Sequence, residues 1–350
     1  MISNPIQALQ NLPIRGTEMK MQNTEITEGI IAEAKKVTYV EAARWGKHRE
    51  WRYVLGLVVI FFVGLVVNGI TTPRVAFLLG GQEALAAFNR LDYAALGLVG
   101  GFVAFRASFP FFLAGMLITV TFVHQRHPRT LVTAREKISW RRVGHGFVAW
   151  FVPISLIAGL GQYFFYPDTF AFNFDLTTFV LFVPIALIFV AIQTTTEELF
   201  FRGYIVQGAS IVWSNRVFLA LVPAVIFALT HLLNPEASAG GWLTVFINYF
   251  LVPGLVWTVV SLIDGTTELA IGVHFANNIG GNLLLGVAGS AVTGSAVTTP
   301  TLFTVSEFHA TYTALSMLVV VPVFLAIAYK VFKPDGVSKP VSQSYRQGRR

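Results

Sequence analysis

Glu197 and Glu198 are adjacent carboxylates in a stretch whose composition belongs in lipid. The run from Thr177 to Val190 is almost wholly apolar, and Phe200, Phe201 and Tyr204 continue it beyond the pair. A charged side chain at bilayer depth costs about 2.5 to 3.5 kcal/mol on insertion scales, so two acids in succession need a reason. His231, His274 and Asn278 are further polar groups set in apolar surroundings. A carboxylate helped by a histidine can take a proton from water and make it a nucleophile toward a carbonyl carbon. A second histidine and an amide can donate hydrogen bonds to the oxyanion that forms. The set suits peptide-bond hydrolysis by activated water, without a covalent enzyme intermediate.

Spacing sorts these groups by face. Glu198 and Arg202 are four residues apart, as are Phe227 and His231, and His274 and Asn278; on a helix each pair shares one face. Glu197 is rotated by about 100° from Glu198, so the two acids can serve different partners. Histidine and glutamate are also zinc ligands. No HExxH pair lies on one helix, however, and the candidate ligands come from three segments. A water activated by glutamate with no metal or other cofactor is the expectation, and zinc is the alternative.

The elements that must position these residues follow from composition. The chain has 350 residues, 54% hydrophobic and 12% charged, with a mean hydropathy of +0.64. A soluble domain carries about 25% charged residues, so an all-α polytopic membrane bundle is expected. Spanning helices need about 20 apolar residues. Eight candidate spans lie near 54–70, 97–123, 147–166, 177–208, 217–233, 242–263, 267–289 and 311–331. The site then falls between the fourth, fifth and seventh. Residues 1–53 form a cytoplasmic extension, 54–332 the membrane domain, and 333–350 a basic tail. Within the extension, Glu28 to Trp45 fits either an interfacial amphipathic helix or a loosely ordered segment. No apolar core of a signal peptide is present there.

Basic residues set the orientation. Residues 1–53 carry eight Lys and Arg, the loop 124–146 six, and the tail from Lys330 six, whereas the loops at 164–176, 234–241 and 290–310 carry none. The positive-inside rule makes both termini and the 124–146 loop cytoplasmic. Glu197 then lies about 15 Å from the cytoplasmic end of its helix, His274 about 12 Å, and His231, the deepest, about 21 Å. Three segments thus bring their polar groups to the cytoplasmic half of the membrane.

Several function classes are excluded or disfavoured. With no cysteine, disulfides, thiolate metal sites and cysteine nucleophiles are absent. No GxSxG elbow marks a serine hydrolase. The net charge of +7 comes from juxtamembrane blocks, and the 124–146 loop suits a solvated segment near anionic lipid better than a nucleic-acid partner. Arg106, within the second span, is assigned a structural role. Asp264 and Glu268 are expected at the membrane interface. Asn277 either lines the site or bonds a neighbouring helix, and Trp150, Trp242 and Trp257 suit interface anchoring or packing. Gly280, Gly281, Gly286 and Gly289 suit close helix contact.

The motifs Glu197-Glu198-Leu-Phe-Phe-Arg202 (EExxxR), Phe227-Ala-Leu-Thr-His231 (FxxxH) and His274-Phe-Ala-Asn-Asn278 (HxxxN) occur in the order seen in one family. The chain resembles the CPBP family, the CAAX proteases and bacteriocin-processing proteins, over roughly residues 135–290. The resemblance implies an eight-helix, glutamate-dependent intramembrane endopeptidase. By position, Glu197 would be the general base with His231 as partner, and His274 and Asn278 the oxyanion hole. Glu198 and Arg202 would order the site, with Phe227 packed beside it. The implied partners are the bilayer and a membrane-associated or lipidated peptide or protein, including prenylated CAAX proteins. The implied location is the plasma (inner) membrane of a prokaryote. Two rival readings use the same groups: a proton-coupled transporter, and a non-catalytic scaffold or immunity protein.

Overall fold

The computed structural model describes residues 38–172, 174–288 and 299–332. The expected basic tail, Gly289, and residues 28–37 of the expected interfacial helix lie outside the described residues. Of that helix, Glu41–Trp45 forms a 3₁₀ turn with Ala42 and Ala43 buried against the protein.

Among the described residues, six helices are long and apolar enough to cross a membrane. They are α1 (Glu50–Asn89), α2 (Tyr93–Val123), α3 (Trp140–Phe165), α4 (Leu176–Val212), α6 (Pro235–Asp264) and α8 (Ala310–Val331). The other two expected spans are shorter helices, α5 (Arg216–Thr230) and α7 (Glu268–Ile279, continued by a π-helical turn Gly280–Leu284). At 15 residues, α5 reaches only about 22 Å, short of the ~30 Å hydrocarbon core. Among the described residues the structure is thus a polytopic helical bundle in which six of the eight expected spans have full length. The segment 234–241, expected as a loop, is helical from Pro235 onward, with a bend at Gly241.

Start signals are visible where helices begin. The Asp175 carboxylate accepts from Thr178 N at 2.6 Å and opens α4. Asn215 accepts from Val217 N and Phe218 N and opens α5. Such caps satisfy donors that a helix end otherwise leaves bare. The loops after α3 and α7 supply a small sheet that hydropathy did not reveal. Strands β1 (Phe170–Phe172), β2 (Leu285–Val287) and β3 (Phe303–Val305) are ordered β1-β3-β2, with β1 antiparallel and β2 parallel to β3.

The most intimate helix pair is α3 with α7. A Cβ at Gly146 would overlap the Leu269 carbonyl, and one at Gly272 would overlap that of Val143. Two glycines facing opposite backbones let the helices touch, as small residues do in membrane bundles. That contact fixes α7, and with it His274, two residues beyond Gly272.

At one end of the bundle the basic loop 124–139 folds onto the helices. Arg142 grips Asp264 through two bonds of 2.7 and 3.0 Å. Glu268, fully buried, accepts from Ser139 N at 2.7 Å and lies 3.6 Å from Arg135. Gln207 donates to the carbonyls of Tyr39 and Thr130 and accepts from Arg126. Within the expected solvated loop and among the expected interfacial acids, Arg126, Arg142 and Glu268 are buried against the protein. Arg142 and Glu268 have partners of opposite charge, and Arg126 is hydrogen-bonded to Gln207, Thr130 and the Ala42 carbonyl, as ions kept out of water require.

Candidate active site

The glutamate pair sits at the end of the regular α-helical part of α4, where Leu199–Ile205 becomes π-helical. Such turns are frequent at functional sites because they re-aim side chains. Glu198 and Arg202 are both fully buried and bond at 3.0 Å across one turn. Arg202 also lies over the Phe227 ring, 4.8 Å from its centroid. Glu198 has a second partner that spacing did not suggest: His274 Nδ1, at 2.7 Å.

Glu197, rotated away, faces two histidines instead of an arginine. His231 Nε2 lies 3.9 Å and His274 Nε2 3.8 Å from its Oε2. His231 occurs not within a span but at the end of α5, where the chain turns before Pro235. Irregular backbone in a membrane protein is tolerated where it lines a cavity, and His231 and Asn234 do line one. The His231 ring is stacked on Phe227 at 4.1 Å and on Tyr249 at 5.0 Å.

The acceptors fix which nitrogens carry protons. His231 Nδ1 lies 2.6 Å from the Phe227 carbonyl, which can only accept, so Nδ1 holds the hydrogen and Nε2 of the neutral ring is an acceptor. His274 Nδ1 likewise donates to Glu198, turning its Nε2 toward Glu197. A water beside Glu197 therefore meets acceptors in the carboxylate and His231 Nε2, and in His274 Nε2 while that ring is neutral. Asn278, a turn beyond His274, is buried and lines the same cavity.

That cavity has a volume of about 660 Å³. One wall carries the polar groups; another is aromatic, with Phe61, Phe105, Phe109, Phe112 and Phe200 from α1, α2 and α4. All six sequence-selected residues, Glu197, Glu198, Arg202, His231, His274 and Asn278, thus meet at one place, four of them on the cavity wall and the ion pair Glu198–Arg202 behind it. Among the described residues, no three His, Cys, Asp or Glu side chains are grouped as a metal site. The nearest donor set is His231 Nε2, His274 Nε2 and Glu197 Oε2.

Sequence reasoning missed the contributions of Arg106, Gln193 and Trp150. Arg106 is buried and donates to Gln193 Oε1 and Asn282 Oδ1, both at 3.0 Å, while Gln193 Nε2 reaches Glu197 Oε1 at 3.3 Å. Asn277 bonds both Asn278 and Trp150. An arginine inside an apolar span was the available signal for the first; nothing local marked Gln193 or Trp150.

Comparison with known proteins agrees with these motifs. Residues 177–280, which contain all three, match the family described as type II CAAX prenyl endopeptidase Rce1-like. Over 297 residues the chain is 30% identical to a Bacillus subtilis (strain 168) protein named uncharacterized protein YyaK, covering 81% of this chain and 92% of that one. No solved structure matches. With the motif helices converging on one cavity and the likeness extending over most of its length, the chain belongs to the CPBP family of CAAX-protease-type membrane proteins.

Proposed function

We propose that the protein is a glutamic-type intramembrane endopeptidase that hydrolyses a peptide bond of a membrane-associated or lipidated substrate near the cytoplasmic face. The observation that carries this reading is the approach of His231 Nε2 and His274 Nε2 to one oxygen of Glu197, at 3.9 and 3.8 Å, on the wall of a cavity of about 660 Å³. A water held between Glu197 and His231 loses a proton to the carboxylate as its oxygen attacks the carbonyl carbon. The developing oxyanion takes hydrogen bonds from Asn278 Nδ2 and, when Nε2 is protonated, from His274. Glu198 and Arg202 hold His274 without touching substrate. Collapse of the tetrahedral intermediate returns the proton from Glu197 to the leaving amine, so no metal and no covalent intermediate are needed.

The aromatic wall supports a lipid-bearing substrate, since an isoprenoid or acyl chain would bury its carbons there while the peptide faced the polar wall. Both termini are assigned to the cytoplasmic side of a prokaryotic plasma membrane, following the basic residues. The test uses purified protein in detergent with an internally quenched farnesylated CAAX peptide. Wild type should release the C-terminal fragment, and Glu197→Gln should not, while both elute as folded protein. Equal cleavage by both, or none by wild type on any lipidated peptide, contradicts the reading.

A further inference from the structure

Asn278 can serve an oxyanion only if its NH₂ end, not its carbonyl, faces the cavity. Amide ends look alike in shape, so polarity must come from neighbours with a single hydrogen-bonding sense. Trp150 is such a neighbour, because an indole Nε1–H only donates. It lies 3.2 Å from Asn277 Oδ1, and that atom must therefore be oxygen. The other end of Asn277, Nδ2, donates to Asn278 Oδ1 at 3.1 Å. Asn278 is left with its Nδ2 for the cavity, which Trp150, Asn277 and Asn278 all line. If Asn277 were turned over, its NH₂ would confront the indole N–H, donor against donor. Asn278 would then turn as well and present a carbonyl to the forming oxyanion.

We propose that Trp150 and Asn277 are positioning residues that fix the polarity of Asn278, with Trp150 as the donor-only end of the chain. The inference rests on the peptidase reading above. The backbone of the segment is held independently: Asn282 Nδ2 donates to the Asn278 carbonyl at 2.7 Å. Trp150 belongs to α3, outside the stretch 177–280 that matches the family, so this support is not part of the three motifs. The simpler role, a buried indole N–H satisfied by the nearest acceptor, explains Trp150 to Asn277 but gives Asn278 no preferred sense.

The test has two arms. In ¹⁵N-tryptophan-labelled protein in detergent, the Trp150 indole resonance is assigned with Trp150→Phe. Asn277→Leu should shift that resonance, whereas Asn277→Asp, which still accepts, should keep the N–H bonded. An indole signal unmoved by Asn277→Leu overturns the chain of bonds whether or not the protein cleaves anything. In the cleavage assay with the farnesylated CAAX peptide at neutral pH, Asn277→Asp offers Asn278 only an acceptor and so reverses it. Its kcat should fall by about 10²-fold or more, the range for losing one oxyanion donor, with KM and thermal stability close to wild type. Trp150→Phe should lose less, since Asn277 is then free in either sense. Full kcat in Asn277→Asp overturns the positioning role. A wild-type protein that cleaves nothing counts against the peptidase reading and, with it, the purpose of the chain.

Discussion

His274 Nδ1 donates to Glu198 Oε1 at 2.7 Å, so the histidine that confronts Glu197 is held by the residue next to Glu197 in sequence. The two acids do not simply divide their partners. Glu198 takes Arg202 on one side and one edge of the imidazole on the other, while the second edge of the same ring turns to Glu197. One carboxylate orients the ring and the other shares its cavity.

Breaking the buried ion pair from one side should be costly. With Glu198 and Arg202 both fully out of solvent, Arg202→Met removes the guanidinium that balances the buried carboxylate, leaving it His274 alone, and should destabilise the protein by about 3 to 5 kcal/mol. The double variant Glu198→Gln/Arg202→Met should recover part of that loss, because no bare charge remains. Thermal unfolding in detergent measures both; a double variant less stable than Arg202→Met refutes this view of the pair.

The α3–α7 contact should tolerate no added methyl. Gly272→Ala would drive a Cβ into the Val143 backbone, and overpacking of this kind costs about 1 to 3 kcal/mol. Because His274 follows two residues later, activity should fall along with the melting temperature. An alanine variant with unchanged melting would show that the helices separate freely here.

The loop end carries its own pH dependence. His124, just beyond α2, is buried with Nδ1 against the Lys47 carbonyl at 2.9 Å. Burial lowers its pKa from 6.5 to about 4. In the unfolded chain it takes a proton near pH 6.5, whereas the folded protein resists until about pH 4. Its contribution to stability is therefore present above pH 6.5 and is lost as pH falls toward 4. Thermal stability across that window should fall less steeply in His124→Gln than in wild type; parallel profiles exclude the assignment.

Metal dependence separates two ways of activating water. If Glu197 and His231 suffice, activity should survive dialysis against a strong chelator. Reproducible loss that zinc or cobalt restores would place a metal on His231, His274 and Glu197 and replace the proposed mechanism.

What could be read in advance followed from local rules. Helical stretches announced themselves by hydropathy, and EExxxR, FxxxH and HxxxN marked the site because charged and amide groups in apolar runs are rare. Contacts across the bundle were not legible. Trp150 and Asn277 are 127 residues apart, and Arg106 and Gln193 are 87 apart; periodicity reports the face of one helix, not what packs against it. The turn at His231 was hidden for a related reason, since the Gly- and Ala-rich run from Pro235 has loop-like composition yet folds as a helix. Asp264 and Glu268 looked interfacial because nothing near them in sequence revealed that Arg142 and Ser139 would close over them.

The central claim is that Glu197 takes the proton from the attacking water. The most direct measurement is the cleavage rate of the farnesylated CAAX peptide by Glu197→Gln beside wild type, both folded and at equal concentration. Loss of a general base predicts a fall of at least 10² to 10⁴-fold, roughly the contribution of positioned acid–base groups. A Glu197→Gln enzyme that cleaves within about threefold of wild type would contradict it.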